Sequence, residues 1–343
     1  VSATTQAATA PNPAVLLTPA VFALDCAAEV ERIGQHLRTS LAAMRKRGVV
    51  LGLSGGVDSS VCAALAVHAL GPEKVQGLLM PEQDSSPDSA DLGAAVATQL
   101  GLRCATENIA PTLAAIGCYR WRDDAIRTLF PDYDDAWKSK IAIAGGSAGK
   151  VHFFDLVVQA PNGPEQRARL PLREYLQIVA ATSFKQRIRK TVEYFHADRL
   201  NYAVLGTPNR LEYDQGFFVK NGDGAADIKP IAHLYKTQVY ALARHLGLPA
   251  AVCHAAPTTD TYSLPQGQDE FYFTLPHAHM DLALWAHNHR RPAAELAAAL
   301  GLSEERAAGI YTEIEAKRRG TRYLHLRPQL VEAVAEVCPE DAP

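Results

Sequence analysis

Two hydrophobic periods run along this chain, and the elements are read where one gives way to the other. Between about residues 19 and 47 the apolar positions Val21, Leu24, Val30, Ile33, Leu37, Leu41 and Met44 recur at helical spacing, which predicts one or two helices. The β-branched run Val49-Val50-Leu51 then predicts a strand, and an alanine-rich helical pattern follows from Asp58 to about Leu70. Residues 74–80 read as a second strand, 91–100 as an amphipathic helix and 103–109 as a third strand. Strands separated by single helices pair in parallel through right-handed crossovers. Residues 201–206 predict a further strand; 228–231 and a helix over 235–246, stopped by Gly247, come after it. The fold class is α/β: a doubly wound parallel sheet flanked by helices, with ligands at the carboxyl ends of the strands.

Between the halves the pattern breaks. Residues 119–171 read as an irregular insertion with an acidic, aromatic stretch, Asp132, Tyr133, Asp134, Asp135 and Trp137. Inside it, 151–158 is strand-like, Ala160-Pro161-Asn162-Gly163-Pro164 supplies turn chemistry and 167–172 returns, which predicts an inserted β-hairpin. The expected organisation is a disordered Ala/Thr/Pro-rich arm over 1–18, one domain over 19–330 and a tail over 331–343.

Composition narrows the function. A net charge of −3 over 343 residues gives no footprint for nucleic acid, so a small-molecule substrate is expected. The cysteines Cys26, Cys62, Cys104, Cys118, Cys253 and Cys338 are scattered without metal-site spacing and read as buried thiols. With no export signal and no membrane span in the pattern, the expected location is cytoplasmic.

Candidate chemistry begins at the first strand. In VVLGLSGGVDSS, residues 49–60, a strand meets a tight turn and a helix N-terminus, gathering backbone N–H groups and the hydroxyls of Ser54, Ser59 and Ser60. Phosphate or pyrophosphate suits such a place. The stretch is neither GxxxxGK[ST] nor GxGxxG. It resembles the SGGxDS loop of ATP-pyrophosphatases, which cleave ATP between its α and β phosphates and adenylate a substrate. A small-residue packing turn is the competing reading, but it gives Asp58 no purpose.

A second polar cluster spans residues 206–230, with Glu212, Asp214, Asp223, Asp227, Lys220 and four glycines. Taken with Gln186-Arg187-Ile188-Arg189 and Leu234-Tyr235-Lys236-Thr237-Gln238-Val239, it resembles the NAD synthetases, the amide-forming branch of that group. The resemblance implies that Ser54, Gly55, Gly56, Val57, Asp58, Ser59 and Ser60 hold ATP phosphates, with Thr207, Lys236 and Thr258 as further ATP contacts. It implies Mg²⁺ on Asp58 and Glu212, and deamido-NAD contacts at Arg187, Lys220, Asp227 and Lys317. Asp223 is the candidate to orient ammonia and take its proton, since ammonia must lose protons as it attacks an acyl-adenylate. Catalysis thus falls to Asp58, Asp223 and Lys236.

The resemblance further implies a homodimer that uses ATP as co-substrate. Too few residues precede Arg47 for a glutaminase, so free ammonia, or ammonia from a separate glutaminase, is the expected nitrogen source. Three features depart from the family: Ala316 where it has His, Ser183 where it opens the RxR helix with Asn, and the inserted hairpin. All three concern the acceptor side. They keep a second reading open, an amide ligase adenylating a different carboxylate. A nucleotide-binding protein without turnover would not need Asp58, Glu212 and Lys236 together.

Overall fold

The computed structural model describes residues 17–144, 153–255, 261–332 and 334. A 3₁₀ turn at Pro19–Phe22 precedes α1 (Cys26–Ala43), which begins on Asp25, whose carboxylate accepts the Ala28 N–H. Strands and helices then alternate: β1 (Val49–Gly52), α2 (Val57–Leu70), β2 (Val75–Leu79), α3 (Pro87–Gln99) and β3 (Arg103–Thr106). Short helices α4 (Ala110–Ala115) and α5 (Cys118–Arg127) lead to β4 (Lys138–Ala144), β5 (Phe153–Gln159) and β6 (Glu165–Arg169). The long helix α6 (Leu172–Leu200) returns the chain to β7 (Ala203–Val204). Beyond it lie α7 (Arg210–Gln215), α8 (Lys236–His245), α9 (Ala250–His254), α10 (His277–Asn288), α11 (Ala293–Leu300) and α12 (Glu304–Thr321).

The parallel sheet has the order β3-β2-β1-β7, so the chain winds outward from β1 to β3 and then returns to the other side of β1. Val49 is paired with Val75 on one side and Ala203 on the other. The winding therefore reverses between β1 and β7, where a doubly wound sheet opens its crevice. Successive side chains of β1 point to opposite faces. Val49 and Leu51 pack with α1, α2 and α8, whereas Val50 packs with Leu78, Val204 and the helices α4 to α6. Helices cover both faces, which is why β1 reads as an unbroken apolar run. A separate cluster joins α10, α11 and α12 to Phe22, Leu211 and Tyr235.

Several expectations need correction. The insertion is not irregular from Tyr119, which lies in α5, and its sheet has a third strand, β4, antiparallel to β5. The expected hairpin is β5–β6, with Asp155 opposite Arg169 and Gln159 opposite Glu165; Val151 and His152 lie outside the described residues. The RxR helix does not open near Ser183 but at Leu172, and Ser183 sits within it. Of the stretch 228–231, only Ile228 pairs, as a single parallel bridge to Leu205. In the expected arm, residues 1–16 lie outside the described residues and Leu17 is buried against Phe22. Most of the tail also lies outside them. Cys62, Cys118 and Cys253 are buried, but Cys104 is exposed. No helix among the described residues is long and apolar enough to cross a membrane.

Candidate active site

The chain leaves β1 through Leu53, whose N–H still donates to Leu78 O at 2.8 Å, and turns at Ser54–Gly56 into α2. Gly55 has φ +76°, and a Cβ there would stand 2.5 Å from Ser89 O and 2.9 Å from Leu92 Cβ. Only glycine meets both demands. The Ser54 and Ser59 hydroxyls lie 3.1 Å apart, while Ser60 Oγ donates to Gly56 O at 2.8 Å. Gly56, the residue that precedes α2, offers no side-chain cap. The first N–H groups of the helix, and the positive end of its dipole, are left for an anion.

In the first turn of α2, Asp58 is held by two partners. Lys236 Nζ pairs with Asp58 Oδ2, and Asn209 Nδ2 donates to Asp58 Oδ1 at 3.1 Å. Asn209 also begins α7: its Oδ1 accepts the N–H groups of Leu211 (2.9 Å) and Glu212 (3.2 Å), while Glu212 Oε2 accepts the Asn209 N–H at 3.2 Å. This reciprocal cap fixes Glu212, whose Oε1 accepts from Gln268 Nε2 at 3.1 Å. Desolvation first, and then the negative charge of Asp58, pushes the Glu212 carboxyl up to about 7 against the pull of Lys236. Burial works against a charged Lys236, yet Asp58 and Glu212 hold it above the usual lysine range.

Lys236 opens α8, and its placement depends on Asp281 of α10. Asp281 Oδ1 accepts the Lys236 N–H at 3.3 Å, and Oδ2 accepts both the N–H and the hydroxyl of Thr237 at 2.7 Å. Burial pushes this fully covered carboxyl up to about 6, partly offset by those bonds.

Asp58, Glu212 and Lys236 border a cavity of about 550 Å³ at the carboxyl ends of β1 and β2. Ser54, Gly55, Gly56, Val57, Asp58, Ser59, Thr207, Glu212, Asp223 and Lys236 all stand on its wall. Ser60 is buried behind the turn, and Thr258 lies outside the described residues. Asp223 Oδ1 accepts the Val219 N–H at 2.7 Å. Desolvation raises its carboxyl, with the cations of Lys190 and Arg189 opposing. Lys190 itself donates to Glu193 Oε2 at 2.6 Å, and both line the same cavity.

The residues expected to bind the acceptor are not on that wall. Arg187 is exposed and its Nε donates to Lys220 O at 3.3 Å; Lys220 Nζ donates to Tyr323 O at 2.8 Å. Asp227 uses both oxygens internally, Oδ2 accepting the Val204 N–H at 2.7 Å and Oδ1 the Tyr194 hydroxyl at 3.3 Å. Lys317 Nζ donates to Tyr272 O at 2.7 Å and lies 4.6 Å from the Tyr272 ring centre; burial pulls it down to about 8. Sequence reasoning gave no role to Asn209, Gln268, Asp281, Lys190 or Glu193. Asn209 with Glu212 three residues on is a legible capping box. Asp281, inside an alanine- and histidine-rich helix, carries no such sign.

Comparison with known proteins agrees with this architecture. The sequence model described as NAD synthase matches residues 29–128 and 166–321. The NH(3)-dependent NAD(+) synthetase of Rhizobium meliloti is 57% identical over 315 residues, 92% of this chain and 94% of that one. Among solved structures, an NMN synthetase from Francisella tularensis superposes with a TM-score of 0.62 at 19% identity, covering 90% of this chain and 99% of that one. An NH3-dependent NAD synthetase from Campylobacter jejuni gives 0.59 at 22%, covering 90% and 100%. At such identities the two structures speak for the fold alone. The interval between the matched stretches, 129–165, holds β4 and β5 of the inserted sheet. With the family's sequence matched on both sides of that interval, and a relative above half identity along nearly its whole length, this chain belongs to the NAD synthase family.

Proposed function

We propose that the chain is an ammonia-dependent NAD synthetase. A carboxylate oxygen of deamido-NAD attacks the α-phosphorus of ATP and pyrophosphate leaves; ammonia then attacks the acyl carbon, AMP leaves with its electron pair, and NAD is formed. The observation that carries this reading is the meeting of Asp58, Glu212 and Lys236 at the uncapped start of α2, on the wall of one cavity. The name of the 57% identical relative supports the same reaction.

In this reading the N–H groups of residues 55–59 and the Ser54 and Ser59 hydroxyls hold the β and γ phosphates, with Ser60 bracing the turn. Thr207 and Thr258 are further ATP contacts. Lys236 faces the charge that develops on departing pyrophosphate, a role suited to a cation fixed by buried partners. Two crowded carboxylates, one pushed up to about 7, fit a hard divalent cation, so Asp58 and Glu212 would hold Mg²⁺. When bound, the ion would supply neutralising charge to the phosphates. Asp223, raised by desolvation and oriented by the Val219 N–H, takes the proton that ammonia loses.

Arg187, Lys220, Asp227 and Lys317 are assigned to the deamido-NAD side. Leu172 and Leu176, one turn apart at the start of α6, are 71% and 55% exposed, an apolar patch that supports pairing of two copies there. The protein would thus work as a cytoplasmic homodimer, with ammonia free or delivered by a separate glutaminase. The test is pyrophosphate release with ATP, Mg²⁺ and ammonium, with and without deamido-NAD, reading NAD in the same tube. Stimulated release with NAD at turnover is expected. ATP binding without stimulation would transfer the chemistry to another carboxylate, with Ser183 on the cavity wall and exposed Ala316 as the first positions to examine.

A further inference from the structure

The inserted sheet touches the cavity in two ways. Phe154 of β5 stacks on Tyr175 of α6, with ring centres 4.6 Å apart and planes 16° apart, and both rings stand on the cavity wall. The other contact runs through β4, whose outer edge is covered by residues 263–266. Ser139 N–H donates to Ser263 Oγ at 2.8 Å, Leu264 N–H donates to Ser139 O at 3.2 Å, and Gln266 Nε2 donates to Ile141 O at 2.6 Å. Lys140 Nζ spans the same junction, donating to Pro265 O at 3.3 Å and pairing with Glu270 at 2.8 Å. Tyr262 and Leu264 complete the apolar packing against the sheet.

This segment is gripped from its other side as well. Lys185 of α6 donates to Thr261 O at 2.8 Å while its charge is met by Asp84 at 2.6 Å and Glu82 at 3.1 Å, deep in the protein. Between these two anchors, Thr261, Tyr262 and Gln268 reach the cavity wall, and Gln268 bonds Glu212. The path from the sheet to the carboxylate pair is therefore continuous: Lys140, Glu270, the segment 261–268, Gln268, Glu212.

The geometry points to the inserted sheet as a positioning element of the nucleotide cavity, with Lys140 and Glu270 as the residues through which it sets the segment that carries Tyr262 and Gln268. The inference rests on the reading that this cavity takes ATP. It gives the interval outside the family match a task in the reaction.

The test titrates the intact chain and its variants with ATP and Mg²⁺ by calorimetry, alongside thermal melting. Lys140→Ala and Glu270→Gln should each weaken ATP binding by about 3- to 10-fold. The double variant should lose no more than the larger single loss, because the two act as one unit. Lys140→Arg should restore most of the affinity, and KM for ammonium should stay unchanged in all of them. Wild-type ATP affinity in variants with lowered melting temperature would overturn the proposal and leave the sheet a stabilising role. Additive losses would overturn the pairing of Lys140 with Glu270. Should Lys140→Ala not fold, Glu270→Gln, whose side chain is 38% exposed, decides alone. Because ATP binding is the readout, tight binding without NAD formation would defeat the acceptor reading and leave this test valid. Failure of the wild type to bind ATP would overturn both.

Discussion

Asn209 joins the two carboxylates of the site: its Nδ2 donates to Asp58 Oδ1 at 3.1 Å while its Oδ1 caps the helix that carries Glu212. One amide thus fixes the spacing of groups contributed by α2 and α7. Neither carboxylate can shift without straining a bond to Asn209.

Asn209→Ala should therefore affect catalysis more than stability. Losing the cap costs about 1 kcal/mol, a fall of about 2 °C in melting temperature. Turnover should fall by about 10-fold or more, since charge stabilisation depends on placement. Melting curves and kcat, measured on the same preparation, check both parts.

Asp281 sets Lys236 from beneath, through two N–H groups and a hydroxyl. In Asp281→Asn one accepting oxygen becomes an NH₂ that faces a donor, at a cost of about 1–3 kcal/mol. Weaker ATP binding and a lower melting temperature should appear together. Unchanged ATP affinity would show that Lys236 keeps its place without this cap.

Glu212 gives the site a pH dependence whose sign is fixed. Its pKa rises from 4.5 to about 7 on folding, so across that window the folded protein holds a proton that the unfolded chain has released. Stability without divalent cation should then fall as pH rises through the window. Glu212→Gln removes the effect: without Mg²⁺ it should gain stability relative to the wild type between about pH 5 and 8. Mg²⁺ should protect the wild type increasingly over the same range and the variant little. Melting scans at several pH values, with and without Mg²⁺, read both trends.

Gly55→Ala combines a left-handed backbone with a Cβ placed 2.5 Å from Ser89 O. The conformational cost is about 1–2 kcal/mol before the clash is counted. ATP binding should be lost along with several degrees of melting temperature. A variant that binds ATP normally would mean that α3 moves aside to admit the methyl group.

The sequence made the strand and turn that lead to Asp58 legible and left the inserted sheet and the start of α6 obscure, for physical reasons. β1 and the α2 start could be read because a buried parallel strand and a phosphate-type turn both need particular residues at adjacent positions. Lys236 and Glu212 were placed by resemblance, and the structure brings them to Asp58. By contrast, β4 was missed because Lys138 to Ala144 is held by β5 and by residues more than a hundred positions later, contacts that no local turn signal announces. The start of α6 was misread because residues 167–172 mix the end of a strand with the beginning of a helix. Arg187, Lys220, Asp227 and Lys317 stand off the cavity wall and bond protein groups, Lys317 bonding the carbonyl of Tyr272, itself a residue of that wall, and nothing in the spacing of the four along the chain announces those partners.

Transfer of an adenylyl group to a carboxylate leaves its record in where the carboxylate oxygen ends. Deamido-NAD carrying ¹⁸O in its nicotinate carboxylate is turned over with ATP, Mg²⁺ and ammonium, and the products are read by mass spectrometry. Attack on the α-phosphorus places one labelled oxygen in AMP, with none in pyrophosphate. Label in pyrophosphate or in free phosphate, or AMP without label, would rule out attack of the carboxylate on the α-phosphorus.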